Sequence, residues 1–110
     1  MKLEENLHFS LLLDLYSPLL TDKQAGIMTA YLNDNLGLSE IAESSGITRQ
    51  AVRDIIERSK AIMVDYEEKL HLLSKFDDIK GKISSIIDTL PATGEADSMK
   101  RLLNEILEKL

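Results

Sequence analysis

Cysteine is absent from the 110 residues, which excludes disulfides and thiolate metal sites and fits a reducing compartment. Glycine and proline are scarce, five and two, so there is little material for a loop-rich or strand-and-turn architecture. With leucine, isoleucine, glutamate and lysine abundant, the composition predicts an all-α chain. No apolar run is long enough to span a bilayer, and Met1-Lys-Leu-Glu-Glu5 carries acids where a signal peptide has basic residues. A cytoplasmic protein without membrane insertion is expected. A glycine-rich phosphate loop and a nucleophile motif are also lacking. The two histidines, His8 and His71, lie far apart in the chain. Glu67 and His71 share a helix face at four-residue spacing, a pattern that a solvated charged face produces without any chemistry. Catalytic residues, metals and cofactors are therefore not expected, and the chain does not read as an enzyme.

What is present is one motif with a mechanical logic, Leu38-Ser-Glu-Ile-Ala-Glu-Ser-Ser-Gly-Ile-Thr-Arg-Gln-Ala-Val-Arg-Asp-Ile-Ile56. Ala42 is small enough to let two helices cross closely. Gly46 supplies the left-handed residue of a tight turn, and Thr48 caps the helix that follows. Ile47, Val52 and Ile55 lock the second helix on the first, with Ile56 also inward. This is the pattern of a helix-turn-helix, placed at residues 38–58. Thr48, Arg49, Gln50, Arg53, Asp54 and Glu57 are left facing outward. The same turn also serves three-helix packing units that bind nothing.

The rest of the chain reads as helices around this motif, together one all-helical domain over residues 1–110. The first spans about 4–16, marked by Leu7, Leu11 and Leu15, and stops near Ser17-Pro18 because the residue before proline is pushed out of helical conformation. Thr21 and Gln24 form a capping box for a second helix with Ile27, Met28, Tyr31 and Leu32 inward. Residues 33–37 make a turn. From Arg49 to about Ser74 nothing interrupts the apolar recurrence Val52, Ile55, Ile56, Ser59, Ile62, Met63, Tyr66, Leu70, Leu73, which predicts an extended recognition helix of roughly 39 Å. Another stripe, Ile79, Ile83, Ile86, Ile87 and Leu90, occupies 76–90. Pro91-Ala-Thr-Gly94 breaks the chain. An amphipathic C-terminal helix at 95–110 carries Met99, Leu102, Leu103, Ile106, Leu107 and Leu110, and folds back on the long helix, packs on another subunit or engages a partner. Met28, Met63 and Met99 read as core filler. The apolar stripes exceed what a chain of this size hides, so a homodimer is expected.

Charge constrains the partner. A formal net charge of -6 is unlike a free-standing nucleic-acid binder, because neutralising phosphates supplies most sequence-independent affinity. Locally the balance reverses. Between Thr48 and Lys60 the bases Arg49, Arg53, Arg58 and Lys60 outnumber Asp54 and Glu57. Weak or partner-assisted binding is expected, with Thr48, Arg49, Gln50, Arg53, Arg58 and Lys60 as the nucleic-acid-binding residues.

Four blocks in order, Leu19-Leu-Thr-Asp-Lys-Gln24, Leu38-Ser-Glu-Ile-Ala-Glu43, Gly46-Ile-Thr-Arg-Gln-Ala-Val52 and Asp65-Tyr-Glu-Glu-Lys-Leu-His71, resemble the YlxM family of small helix-turn-helix proteins of Gram-positive bacteria. The central block alone also resembles the promoter-reading C-terminal domain of bacterial sigma factors. The resemblance spans about 9–76 and leaves the tail after Pro91 outside it. Genes of this family tend to lie beside that of the signal recognition particle GTPase, so the resemblance implies an accessory or regulatory role in that pathway. Three readings follow: binding of signal recognition particle RNA or of the particle itself, regulation of transcription by binding DNA, or a protein-interaction adaptor that binds no nucleic acid.

Overall fold

The computed structural model describes residues 2–110, with side chains from Glu4 onward. Among these residues all regular structure is helical: α1 (Lys2–Tyr16), a single 3-10 turn (Ser17–Leu19), α2 (Asp22–Leu32), α3 (Leu38–Ser45), α4 (Arg49–Leu70), α5 (Leu72–Thr89) and α6 (Gly94–Lys109). The all-α expectation holds. The helices gather into two compact units, Met1–His71 and Leu72–Leu110.

In the first unit α4 is the central strut, and α1, α2 and α3 all pack on it. Its Val52, Ile56, Ser59 and Met63 recur at three- or four-residue steps and are buried, so one continuous stripe receives three helices. Phe9, Leu12, Leu13 and Tyr16 from α1, Ile27 and Met28 from α2, and Ile41 and Ala42 from α3 complete the core. The α1 face differs from the expected one. Leu7 and Leu11 are 62% and 40% exposed, because that leucine row lies on roughly the opposite side of the helix from Phe9 and Tyr16. α1 is apolar on both sides, and the side bearing the two aromatic rings is the one buried.

The boundaries have local causes. Thr21 Oγ1 accepts from the Gln24 amide at 3.1 Å while Gln24 Oε1 accepts from the Thr21 amide at 3.0 Å, the reciprocal capping box expected at the start of α2. α4 ends earlier than expected, at Leu70 rather than Ser74, because His71 turns left-handed (φ 56°) and its amide donates to the Glu67 carbonyl at 2.8 Å. Histidine enters this region more readily than most non-glycine residues, so a helix can stop without the glycine that sequence reading looks for. The far end of α4 is anchored by the buried Tyr16, whose hydroxyl donates to Glu67 Oε1 at 2.7 Å and whose ring stacks on Tyr66 at 5.9 Å.

In the second unit α5 and α6 pack on each other, joined through Leu90–Thr93, with Thr93 Oγ1 accepting from the Ala96 amide at 3.2 Å to start α6. Ile83 and Ala96 are its buried residues. Met99, expected as core filler, is instead 50% exposed, since it lies at the edge of the α6 face that carries the half-buried Leu103 and Leu107.

Ser59 is fully buried in the middle of the α4 stripe and its hydroxyl has no hydrogen-bond partner. An unsatisfied buried hydroxyl costs about 1–3 kcal/mol, and alanine is also the better helix former. Ser59→Ala is therefore expected to raise unfolding stability by about 1 kcal/mol, read as a higher urea midpoint at unchanged slope.

Candidate nucleic-acid interface

The helix-turn-helix is built by three small devices. The first is at the start of α3, where Glu40 reaches back so that its Oε1 accepts from the Gly37 amide at 3.3 Å. At the end of that helix Gly46 is left-handed (φ 69°, ψ 27°), and both its amide and that of Ile47 donate to the Ala42 carbonyl. Two otherwise orphaned backbone groups are thereby satisfied within one turn. Finally Thr48, extended in backbone, accepts from the Ala51 amide at 3.0 Å and launches α4. Ala42 is buried where α3 meets α4, as its size predicted, with Val52 and Ile56 buried and Ile47 and Ile55 half-buried.

The six expected binding residues do not share one face. Thr48, Arg49, Gln50 and Arg53 are exposed on the first turns of α4, next to the glycine turn. Arg53 also borders an open hollow with Tyr31, Leu38, Ile56 and Glu57. Arg58 sits roughly 140° around the helix from Arg53 and borders a different hollow, with Leu19, Ile62 and Tyr66. Lys60 is drawn inward: its side chain is 15% exposed, and its ammonium lies 5.0 Å from the Phe9 ring, 5.7 Å from the Tyr31 ring and 3.9 Å from Glu5 Oε1. That ammonium clamps α4 to α1 and α2 by cation–π attraction. Its packing role was not legible, since the sequence does not show that Phe9 and Tyr31 meet at its position.

Electrostatically the face is mixed. Asp54 and Glu57 are exposed beside the two arginines, and the Gln50 side-chain amide donates to Asp54 Oδ1 at 2.9 Å. The arginine and glutamine donors suit phosphate oxygens and base edges, while the two carboxylates repel a polyanion. Of the histidines, His8 is exposed on α1 with its ring edge-on to Phe9 at 5.6 Å, and His71 terminates α4.

Fold and turn geometry together define a helix-turn-helix protein. Residues 3–106 match the family described as "Putative helix-turn-helix protein, YlxM / p13 like". The chain is 40% identical over 110 residues to the YlxM protein of Bacillus subtilis, covering 100% of this chain and 99% of that one. It is 39% identical over 111 residues to a family protein of Clostridium kluyveri (98% and 100% covered), and 40% identical over 108 residues to one of Halalkalibacterium halodurans (98% and 95% covered). The chain belongs to this family. The match runs well past Pro91 to residue 106, so most of α6 belongs to the family's pattern, beyond the 9–76 span that the sequence blocks cover.

The turn supplies a graded test. A Cβ at Gly46 would meet no atom within 4 Å, so any loss on substitution comes from the left-handed backbone itself. Gly46→Asn should cost least, Gly46→Ala about 1 kcal/mol and Gly46→Val more, in that order of urea midpoint. Equal midpoints for the three variants would contradict the turn geometry.

Proposed function

We propose that the chain is an accessory or regulatory protein that binds nucleic acid through the N-terminal face of α4, Thr48, Arg49, Gln50 and Arg53. The carrying observation is the exposure of two arginines and a glutamine on the first turns of a helix whose opposite side is locked in the core. Such a helix is held rigid before it meets a ligand, so little ordering cost remains on binding. Arg58 and Lys60 fall outside this face, and Lys60 acts in packing. The family resemblance supports signal recognition particle RNA, or the particle itself, as the target. Asp54 and Glu57 beside the arginines, with the net charge of -6, favour weak binding that gains from a second contact. The same two carboxylates support a second reading, an adaptor whose partner is a protein.

Arg49→Glu with Arg53→Glu reverses the charge of the face while leaving Val52 and Ile56 in the core. Binding to particle RNA in a mobility-shift titration should fail in this variant and persist in Arg58→Glu. For the parent, two neutralised phosphates correspond to an affinity loss of about tenfold between 50 and 200 mM salt. Binding of duplex DNA in preference to the RNA would favour transcriptional regulation, and unchanged pulldown of a protein after nuclease treatment would favour the adaptor.

A further inference from the structure

α6 carries a face that the chain leaves uncovered. Met99, Leu102 and Ile106 are 50%, 61% and 46% exposed, and Leu102 and Ile106 border a shallow groove with Glu105 and Lys109. At about 100° per residue, Glu95, Met99, Leu102, Ile106 and Lys109 fall within one sector roughly 80° wide. The stripe therefore runs from an acid in the first helical turn, through three apolar side chains, to a base in the last. Leu102 is the midpoint between Glu95 and Lys109. A stripe with this order is complementary to itself when reversed. Two copies laid antiparallel across a two-fold axis at Leu102 bring Glu95 of each opposite Lys109 of the other. Met99 then meets Ile106, Leu102 meets Leu102, and the helix dipoles oppose favourably.

The need for a partner is independent of the charge pattern. A helical unit of fewer than about 40 residues buries too little apolar surface to be stable alone and ordinarily relies on oligomerisation. In the second unit Ile83 and Ala96 are the buried residues, while five large apolar side chains, Ile79, Ile86, Met99, Leu102 and Ile106, are exposed. Joining two α5–α6 hairpins through α6 yields a four-helix arrangement in which the Met99, Leu102 and Ile106 stripe becomes an interior. We propose that this face is the contact between two copies of the chain, antiparallel and centred on Leu102. The surface belongs to the second unit, so the proposal stands apart from the nucleic-acid reading of α4.

Because the chain has no cysteine, single-cysteine variants report the contact without background. Leu102→Cys in the full chain should oxidise to a covalent dimer. Glu95→Cys and Lys109→Cys should each form no covalent dimer under oxidation, yet cross-link to each other when mixed. The parent should show twice the monomer mass by light scattering at micromolar concentration. Leu102→Glu, at an exposed position and so expected to keep the parent's helical circular dichroism, should weaken association by about a hundredfold or more. A monomeric parent overturns the proposal. A dimer that fails to cross-link at residue 102, or one that cross-links Glu95→Cys to itself, overturns it equally.

Discussion

The first unit depends on covering the α4 stripe of Val52, Ile56, Ser59 and Met63. A 22-residue helix exposing that stripe to water would be marginal in isolation, since most helical stability in proteins comes from packing an amphipathic face. Three helices share the covering, each with its own attachment. α3 is tied through the Gly46 turn, α1 through the Tyr16 hydroxyl on Glu67, and α1 and α2 together through the Lys60 ammonium over Phe9 and Tyr31. These attachments lie at the beginning, the end and the middle of α4. The helix is thus held along its whole length, and its first turns project the arginines as a consequence of what is buried behind them.

Much of this was legible because it rests on steric rules that act within a few residues. Gly46 enters a left-handed turn without the penalty a side chain brings, Thr48 and Thr21 are capping residues by their hydroxyls, and Pro18 and Pro91 end helices by clash. Each was found where expected. Features decided by distant residues were not. α1 carries apolar rows on both sides, and the choice between Leu11 and Leu12 depends on which row α2 and α4 meet. Lys60 looked like a surface base because the rings that receive it are 51 and 29 positions away along the chain. His71 sits between these cases. Its left-handed turn is local, but histidine does this too seldom for the residue type alone to signal a stop.

The candidate site shows the same division. Its position on α4 followed from the motif, while its extent did not. Six residues chosen by sequence proximity reduce to four, since Arg58 is rotated about 140° from Arg53, while Lys60, on the side of Arg53 two turns further along, is covered by Phe9 and Tyr31. The local positive balance counted along the chain is accordingly smaller in space: two arginines remain against Asp54 and Glu57. An acidic chain with so small a basic face gains little from counterion release.

If two chains join through α6 as proposed, that shortfall has a consequence for the α4 face. Two weak sites carried on one assembly bind a repetitive polyanion such as a nucleic acid with an effective concentration set by the spacing between them, without any new contact at either site. The second site needs no additional positive charge, and the acidic surface elsewhere continues to disfavour non-specific polyanions. Under this arrangement, loss of the dimer should weaken nucleic-acid binding although Arg49 and Arg53 are unchanged. Leu102→Glu would then lower the affinity for particle RNA while leaving the salt dependence per bound chain unchanged, because the proposed phosphate contacts of Arg49 and Arg53 are untouched by it. An unchanged RNA affinity in a demonstrably monomeric Leu102→Glu variant would separate the two units functionally and leave the α4 face to act alone.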